Sequence, residues 1–393
     1  MTSVRRASDG SATPLAATAR LEAESARRLG ARHAVAFAYG RHALAAILEG
    51  VGAVAGDRVV VSPLNCTVVP LVLRASRLVP VYAEISARTL NLDAGAVAAA
   101  SAGARAVVFQ HTYGSPEGVR DAAVAAAVRG IALIEDCAHC LPLAGPFPSP
   151  GATGRAAIFS NNLRKPLPAA SGGLAVTGDE ALAAHLAARR DGLPRRSTLA
   201  ELGLSAELLA HRLLLRSRTY WPLLALSRLG RRPEREGLDG EIDATITRRA
   251  LRISAAQARR GLAALARIDA DARHRRRLCA EYAAALGDAA GVGLPCAGED
   301  RPLSLFPVLV PAKRELLRRA RRRLVEIVAW PIGPPLFPLV DAADLARYGY
   351  ERGSCPVAED VASRLVGLPT DLRTGPRQRD AVVALLRAHL ESR

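Results

Sequence analysis

Lysine is nearly absent from this chain of 393 residues, and the two lysines that it keeps are candidates for chemistry. Lys165 and Lys313 stand among 54 lysine and arginine residues, so arginine occupies every other basic position. An amine that must lose its proton and attack a carbonyl group cannot be replaced by a guanidinium. Lys165 follows an apolar run and precedes a glycine pair, which suits a nucleophile. Lys313 opens a basic helix that we expect to be exposed, and we interpret it as a surface lysine without a chemical role.

Two other segments carry polar groups where an α/β protein binds ligands. Asp136 follows the apolar run 131–134, and ligands bind at the carboxyl ends of strands in open α/β sheets. An acid there is a helix cap, a metal ligand or the partner of a cationic ligand group, and the residues alone leave these three open. The segment 34–44 predicts a strand, a turn at Gly40 and a helix, whose first amides form an anion site.

These three features match the groups that pyridoxal phosphate (PLP) needs in a protein. A lysine forms a Schiff base with the cofactor, an acid keeps its pyridine nitrogen protonated, and a helix terminus binds its phosphate. The order along the chain is a phosphate turn at Gly40, an acid at Asp136 and a lysine at Lys165. The sequence therefore predicts a PLP site.

The elements that must position these residues alternate between strands and helices. Apolar runs predict seven strands, at 34–38, 58–62, 79–83, 106–110, 131–135, 156–159 and 173–177. Nearly continuous apolar strands separated by helices indicate a mostly parallel sheet covered on both faces. We expect a large PLP-binding α/β domain over 1–249 and a smaller α+β domain over 250–393. For the smaller domain we predict a helix over 250–286, a strand over 303–310, and helices over 313–327 and from Gln378.

Several short motifs resemble the DegT/DnrJ/EryC1/StrS family of PLP-dependent sugar aminotransferases. The resemblance runs from about residue 30 to the carboxyl terminus, apart from 190–245. Its anchors, in chain order, are 39–44, 56–61, 111–114, 135–139, 159–165, 252–257 and 356–369. It implies a PLP-dependent transferase of fold type I, similar to aspartate aminotransferase, that works as a homodimer with its sites at the subunit interface.

The resemblance also implies a role for each candidate site residue. Lys165 matches the Schiff-base lysine and Asp136 matches the partner of the pyridinium nitrogen, so these two are the catalytic candidates. His139 matches a residue near the phenolic oxygen of PLP, although a histidine of the protein core stays an alternative. The other candidates for cofactor binding are Gly40, Arg41 and His42 in the phosphate turn, Cys66, and the phosphate-binding Ser160.

Three positions depart from the family pattern. Cys66 stands where an aromatic ring often stacks on PLP, Ala250 where an asparagine of the neighbouring subunit usually reaches the phosphate, and Ser171 where glutamate is common. These departures bear on cofactor affinity and substrate scope more than on the fold.

The resemblance implies amino transfer, usually from glutamate, to a nucleotide-linked keto-sugar in surface-glycan or secondary-metabolite biosynthesis. Lys165 would move the α-proton of the donor amino acid. One alternative keeps the cofactor and changes the acceptor to a keto acid or keto-cyclitol. Another is a degenerate fold that serves as a scaffold or regulator, which the retained Lys165 and Asp136 pair opposes.

Composition limits the partners and the location of the protein. The net charge of +17 favours an anionic substrate, whereas 4% aromatic residues are too few for base stacking, so we expect no nucleic acid. Cys137 and Cys140 are the one close pair among six cysteines, and without a second cluster we expect no metal. A polar amino terminus and the lack of an apolar run of about 18 residues predict a cytoplasmic protein.

The segment 190–245 breaks the alternation of strands and helices. It contains a leucine-rich helix near 205–219 with interspersed arginines, followed by Trp221. We favour burial of this insertion against the small domain or the other subunit. The alternative is a peripheral membrane contact through 205–229, with leucines in the interface and arginines on anionic head groups.

Overall fold

A seven-stranded sheet forms the centre of the amino-terminal half in the computed structural model, which describes residues 14–143, 151–161, 165–166, 172–197, 199–203, 206, 250–296, 298 and 300–392. The strands are β1 (His33–Phe37), β2 (Arg58–Val61), β3 (Val79–Tyr82), β4 (Ala104–Gln110), β5 (Ala132–Asp136), β6 (Ala156–Ser160) and β7 (Gly173–Thr177). Their order across the sheet is β1-β7-β6-β5-β4-β2-β3. β7 runs antiparallel to both of its neighbours, β1 and β6, and the other strand pairs are parallel. The predicted mostly parallel α/β sheet is confirmed.

Helices cover both faces of this sheet. They are α1 (Pro14–Leu29), α2 (Gly40–Gly50), α3 (Val68–Ala75), α4 (Ala94–Ala100), α5 (Val119–Val128) and α6 (Glu180–Asp191). Successive residues of β2 show the two-sided burial, because Val59 and Val61 belong to one apolar cluster and Val60 to another. Adjacent side chains of a strand point to opposite faces, so a run of apolar residues without alternation requires cover on both sides.

The carboxyl-terminal part has fewer strands and more helices. Its elements are α7 (Ala255–Leu265), α8 (Ile268–Leu286), β8 (Leu305–Leu309), α9 (Lys313–Arg322), α10 (Pro356–Arg364), β9 (Leu365–Pro369) and α11 (Pro376–Glu391). β8 and β9 pair antiparallel. The prediction lacked α10 and β9. β9 follows α10 without any intervening residue, so no glycine or proline marks the boundary between them in the sequence.

The prediction of one helix over 250–286 is wrong, because two helices occupy this range. α7 begins with a capping box between Ser254 and Gln257, which fixes its start. It packs so closely on α1 that a Cβ at Gly261 would lie 2.9 Å from Leu21. α8 carries Tyr282 into the separate apolar cluster of the carboxyl-terminal part. The break falls at Ala266 and Arg267, between the end of α7 and the start of α8.

The leucine-rich helix and Trp221 of the insertion lie outside the described residues. The same holds for Ser171. Among the described residues, no helix combines the length and apolar character needed to cross a bilayer.

Candidate functional site

Asp136 ends β5 at the carboxyl edge of the sheet with its side chain buried. The chain turns sharply after it, and the Ala138 amide donates to Asp136 Oδ1 at 2.9 Å. Burial raises the pKa of the Asp136 carboxyl, while the positive charges of Lys165 and His111 oppose that rise. Among the described residues this amide is the one hydrogen-bond donor to the carboxylate, so the group has capacity for a cationic partner.

Lys165 lies half-buried beyond the end of β6. Its positive charge influences the pKa of Asp136, of Cys66 and of His139, so all three side chains lie within electrostatic range of its amine. Asp136 and His139 lie at the end of β5, whereas Cys66 and Lys165 follow β2 and β6. The fold therefore brings four of the predicted site residues together.

His139 lies between two aromatic rings at this site. Its ring centroid is 4.8 Å from Trp330, edge to face, and 6.2 Å from Tyr113, nearly parallel. The Tyr113 amide donates to His139 Nδ1 at 3.4 Å, which leaves the ring proton on Nε2. Desolvation, followed by the charge of Lys165, holds the pKa of His139 well below its usual range. His139 is thus a neutral imidazole whose Nε2 carries the ring proton.

The phosphate turn lies beside the ends of β6 and β7. A Cβ at Gly40 would come within 3.2 Å of the Ser160 Cβ, and one at Gly173 within 2.4 Å of the Gly40 nitrogen. This close approach explains why both positions are glycine. Gln257 supports the turn from α7, because its Nε2 donates to the Ala38 carbonyl at 3.2 Å. The amino terminus of α2 and Ser160 therefore form one corner of the site.

Two of the predicted phosphate-turn residues contact Tyr39. The guanidinium carbon of Arg41 lies 4.1 Å from the centre of the Tyr39 ring. His42 is buried, with its ring edge to face against the same tyrosine at 5.4 Å. Tyr39 is the residue before α2 and provides no side-chain cap for it. An anion at this terminus would meet helix amides and a guanidinium together.

Cys66 lies on the loop after β2, where a segment from the carboxyl-terminal part is bound to it. The Phe337 amide donates to the Asn65 carbonyl at 2.7 Å, and the Thr67 amide donates to the Phe337 carbonyl at 2.8 Å. Cys66 is half-buried, whereas the other five cysteines are buried. Desolvation raises the pKa of its thiol, against the opposing charge of Lys165.

The sequence reasoning missed the aromatic residues that surround these groups. Trp330 and Phe337 come from a loop whose position follows only from tertiary packing, and their ring centroids lie 6.2 Å apart. Tyr113 falls within a motif that supported the family resemblance, but it had no assigned role. The rarity of aromatic residues in this chain was the one signal that could have drawn attention to Trp330.

Glu135 precedes Asp136 and has a different set of neighbours. His111 Nε2 and the Gly151 amide lie at 2.7 and 2.8 Å from Glu135 Oε2, and the Thr153 and Gly154 amides donate to Oε1 at 2.7 and 2.6 Å. Burial opposes ionisation of Glu135, but these bonds outweigh it and lower its pKa.

Glu135, His111 and Cys137 offer ligand atoms within 4.8 Å of one another, a spacing compatible with a metal ion. Each carboxylate oxygen of Glu135 already accepts two hydrogen bonds, from His111 and the Gly151 amide on Oε2 and from two loop amides on Oε1. This carboxylate therefore organises the loop at 151–154 instead of presenting lone pairs to an ion.

The expectation that Lys313 is an exposed lysine is wrong. Its side chain is 3% exposed, and Nζ donates to the Pro331 carbonyl at 2.6 Å and to the Ala362 carbonyl at 2.8 Å. Arginines of the same helix, such as Arg314 and Arg318, are exposed as predicted. The first residue of this amphipathic helix points inward, which a count of basic residues did not reveal.

Known proteins resemble this chain in both sequence and fold. It is 27% identical over 357 residues to dTDP-3-amino-3,4,6-trideoxy-alpha-D-glucose transaminase of Micromonospora megalomicea subsp. nigra, covering 88% of this chain and 83% of the relative. It is 36% identical over 152 residues to L-glutamine:2-deoxy-scyllo-inosose aminotransferase of Streptomyces lividus, covering 38% and 36% of the two chains. Across this and similar local matches, the chain spans 36–43% of the relative's length.

The fold is shared with NtdA of Bacillus subtilis, whose crystal structure contains the bound cofactor PMP. The TM-score is 0.73 at 16% identity, with 97% of this chain and 78% of the other covered. The model of the DegT/DnrJ/EryC1/StrS aminotransferase family matches residues 6–387. The chain therefore belongs to the DegT/DnrJ/EryC1/StrS aminotransferase family.

Proposed function

We propose that this protein is a PLP-dependent aminotransferase that transfers an amino group from an amino acid to a keto-sugar. The observation that carries the proposal is the buried Asp136 carboxylate at the end of β5, close to the amine of Lys165. A buried acid with a single described donor and a nearby lysine are the two groups that this chemistry requires.

The residues present fit the cofactor. Asp136 has capacity for one cationic hydrogen-bond donor, which a protonated pyridine nitrogen would supply. The corner formed by Gly40, Ser160 and Arg41 is suited to a phosphate group, because amides at a helix start and a guanidinium both favour anions. When bound, PLP would act as an electron sink for negative charge at the donor's α-carbon.

Each side chain of the site has a task that follows from its surroundings. Asp136 would hold a proton on the pyridine nitrogen, and Lys165 would bind the cofactor covalently and move the proton of the donor's α-carbon. Neutral His139 would donate from Nε2 to the phenolic oxygen. Cys66 would contact the cofactor without supplying the aromatic ring that the family often has at this position.

A keto-sugar linked to a nucleotide is the acceptor that we favour. The long match to a relative named for a dTDP-amino-sugar supports it, and so does the net charge of +17. A keto-cyclitol is the second candidate, which the local match to an aminotransferase named for 2-deoxy-scyllo-inosose supports. Glutamate is the donor that the family pattern favours, whereas the name of that relative specifies L-glutamine.

The proposal includes a homodimer located in the cytoplasm. Its pathway would be the synthesis of a surface glycan or a secondary metabolite. We favour burial of the insertion at 190–245 within the protein or the dimer over a membrane contact through 205–229.

Mapping the lysine that carries the cofactor tests the proposal directly. Protein incubated with PLP and reduced with borohydride should carry the label on Lys165, and Lys165→Ala should abolish both the label and amino transfer. The chain has only one other lysine, so digestion and mass spectrometry give an unambiguous answer. Recovery of the label on Lys313, or no absorbance from bound cofactor, would contradict the proposal and favour a scaffold.

A panel of acceptors then tests the substrate class. With glutamate and with glutamine as donors, we would measure turnover on a nucleotide-linked keto-sugar, a keto-cyclitol and a keto acid. The keto-sugar should react fastest. Preferential turnover of the keto-cyclitol would replace the favoured acceptor while leaving the cofactor assignment intact.

A further inference from the structure

Lys313 connects two segments that are far apart in the sequence. Its Nζ donates to the carbonyl of Ala362 in the last turn of α10 and to the carbonyl of Pro331. The last four carbonyls of a helix lack intrahelical donors, and a cation there also interacts favourably with the helix dipole. The ammonium therefore caps α10 and ties Pro331 to this helix end.

The peptide that joins Trp330 to Pro331 has a donor of its own. The Tyr113 hydroxyl donates to the Trp330 carbonyl. Two residues earlier, Val328 exchanges two backbone hydrogen bonds of 2.9 Å with Gly367 in β9. Donors from three different elements thus hold three of the four residues 328–331.

The side chain that this loop delivers to the candidate site is the indole of Trp330. It is 7% exposed, and its ring lies 5.4 Å from Tyr113 and 4.8 Å from His139. His139 is in turn close enough to Lys165 for its pKa to respond to that charge. Lys313 is therefore connected to the site through Pro331, the adjoining Trp330 and the His139 ring that Trp330 contacts.

We propose that Lys313 is a positioning residue, whose ammonium holds the Pro331 carbonyl, one residue beyond Trp330, and thereby holds the indole against His139. Its effect on amino transfer rests on the proposed function. Its effect on the place of the indole does not.

The chemistry of the two carbonyls explains why this position is lysine in a chain that otherwise uses arginine. Both oxygens converge on one nitrogen, and an ammonium is a compact donor of three hydrogens. A planar guanidinium is larger and always charged. Burial, with a smaller contribution from Arg314, lowers the pKa of Lys313 to about 7. A lysine can lose its proton in such surroundings, whereas an arginine would have to stay charged.

The emission of Trp330 tests the positioning step alone. Trp221 and Trp330 are the two tryptophans of the chain, so Trp221→Phe leaves one reporter. In that background, Lys313→Met should shift the Trp330 emission to longer wavelength and increase its quenching by acrylamide. Arg314→Met is the matched control, because Arg314 is the next residue of the same helix and is exposed. It should leave both signals unchanged.

Steady-state kinetics on the PLP-loaded protein test the consequence for the site. We expect Lys313→Met to lower kcat about tenfold, because small misplacements near reacting groups are costly. Lys165 should still take up one equivalent of cofactor. Lys313→Gln, which keeps N–H donors without the charge, should recover part of both the emission and the turnover, and it serves as the test variant if Lys313→Met does not fold.

The outcomes separate the two claims. Unchanged Trp330 emission in Lys313→Met overturns the positioning role, and so does a shifted emission with wild-type turnover. If the wild type binds no PLP, the proposed function fails, and the Trp330 emission then decides alone whether Lys313 positions the indole.

Discussion

The two acids at the end of β5 are neighbours in the sequence, yet they lie in opposite surroundings. Glu135 accepts from His111 and three loop amides, so both of its oxygens are saturated. Asp136 receives one amide among the described residues and lies close to Lys165. The strand alternates its side chains between the two faces of the sheet, which separates the pair.

This difference distinguishes a structural acid from an acid that awaits a ligand. The surroundings of Glu135 lower its pKa, whereas burial raises that of Asp136. A carboxylate that already has four donors contributes to stability and has no capacity left. A buried carboxylate with one donor carries an uncompensated desolvation cost, which a cationic group can offset.

The largest effect should follow from Asp136→Asn. Removing this charge should leave the pyridine nitrogen of the cofactor largely unprotonated, and kcat should fall by roughly 10³ to 10⁴, as for other misprotonated catalytic partners. The measurement is turnover of protein with its PLP content determined. Near-normal turnover would show that Asp136 is structural, and the contrast with Glu135 would then disappear.

Glu135→Gln should lower the stability of the protein more than its turnover, the opposite of Asp136→Asn. The amide nitrogen of glutamine would face donors, so the variant should lose about 3 to 5 kcal/mol of folding free energy, as when a buried ion pair is broken. Chemical denaturation measures this loss. Turnover per folded, PLP-loaded molecule should change much less than in Asp136→Asn. Normal stability with abolished turnover would reverse the roles of the two acids.

The pH dependence of stability should reveal the ion pair of His111 and Glu135. Burial opposes the charge on His111, but Cys140 and Glu135 outweigh it and raise the pKa of His111 to about 9 from 6.5. A group whose pKa is raised by folding stabilises fully below the unfolded value, and this contribution is lost as pH rises through the folded value. The stabilisation should therefore decline between pH 6.5 and 9.

His111→Gln provides the comparison for that decline. The difference in unfolding free energy between wild type and variant should shrink by on the order of 2 kcal/mol from pH 6 to pH 9.5. Thermal melts across this range measure it. A difference that stays constant with pH would mean that His111 is neutral in the folded protein and forms no ion pair with Glu135.

Much of the framework was predictable because it depends on local patterns. Uninterrupted apolar runs identified the seven strands, since residues buried on both faces leave no polar alternation. Lys165 and Asp136 were identifiable because a rare amine and an acid after an apolar strand are local signals. The helix over 250–286 was mispredicted for the complementary reason, as no proline or glycine marks the break at Ala266 and Arg267 between α7 and α8.

The sequence by itself determined which residue types the site contains and which strands, in order along the chain, precede them. Tertiary structure decided which of those residues are satisfied and which are not. In the sequence, Glu135 and Asp136 are two adjacent acids after the same apolar run, and Lys313 is one basic residue in a basic helix. Only long-range packing supplies the donors, carbonyls and rings around them. Burial and hydrogen-bond partners are properties of the folded surroundings, and the residue type alone does not determine them.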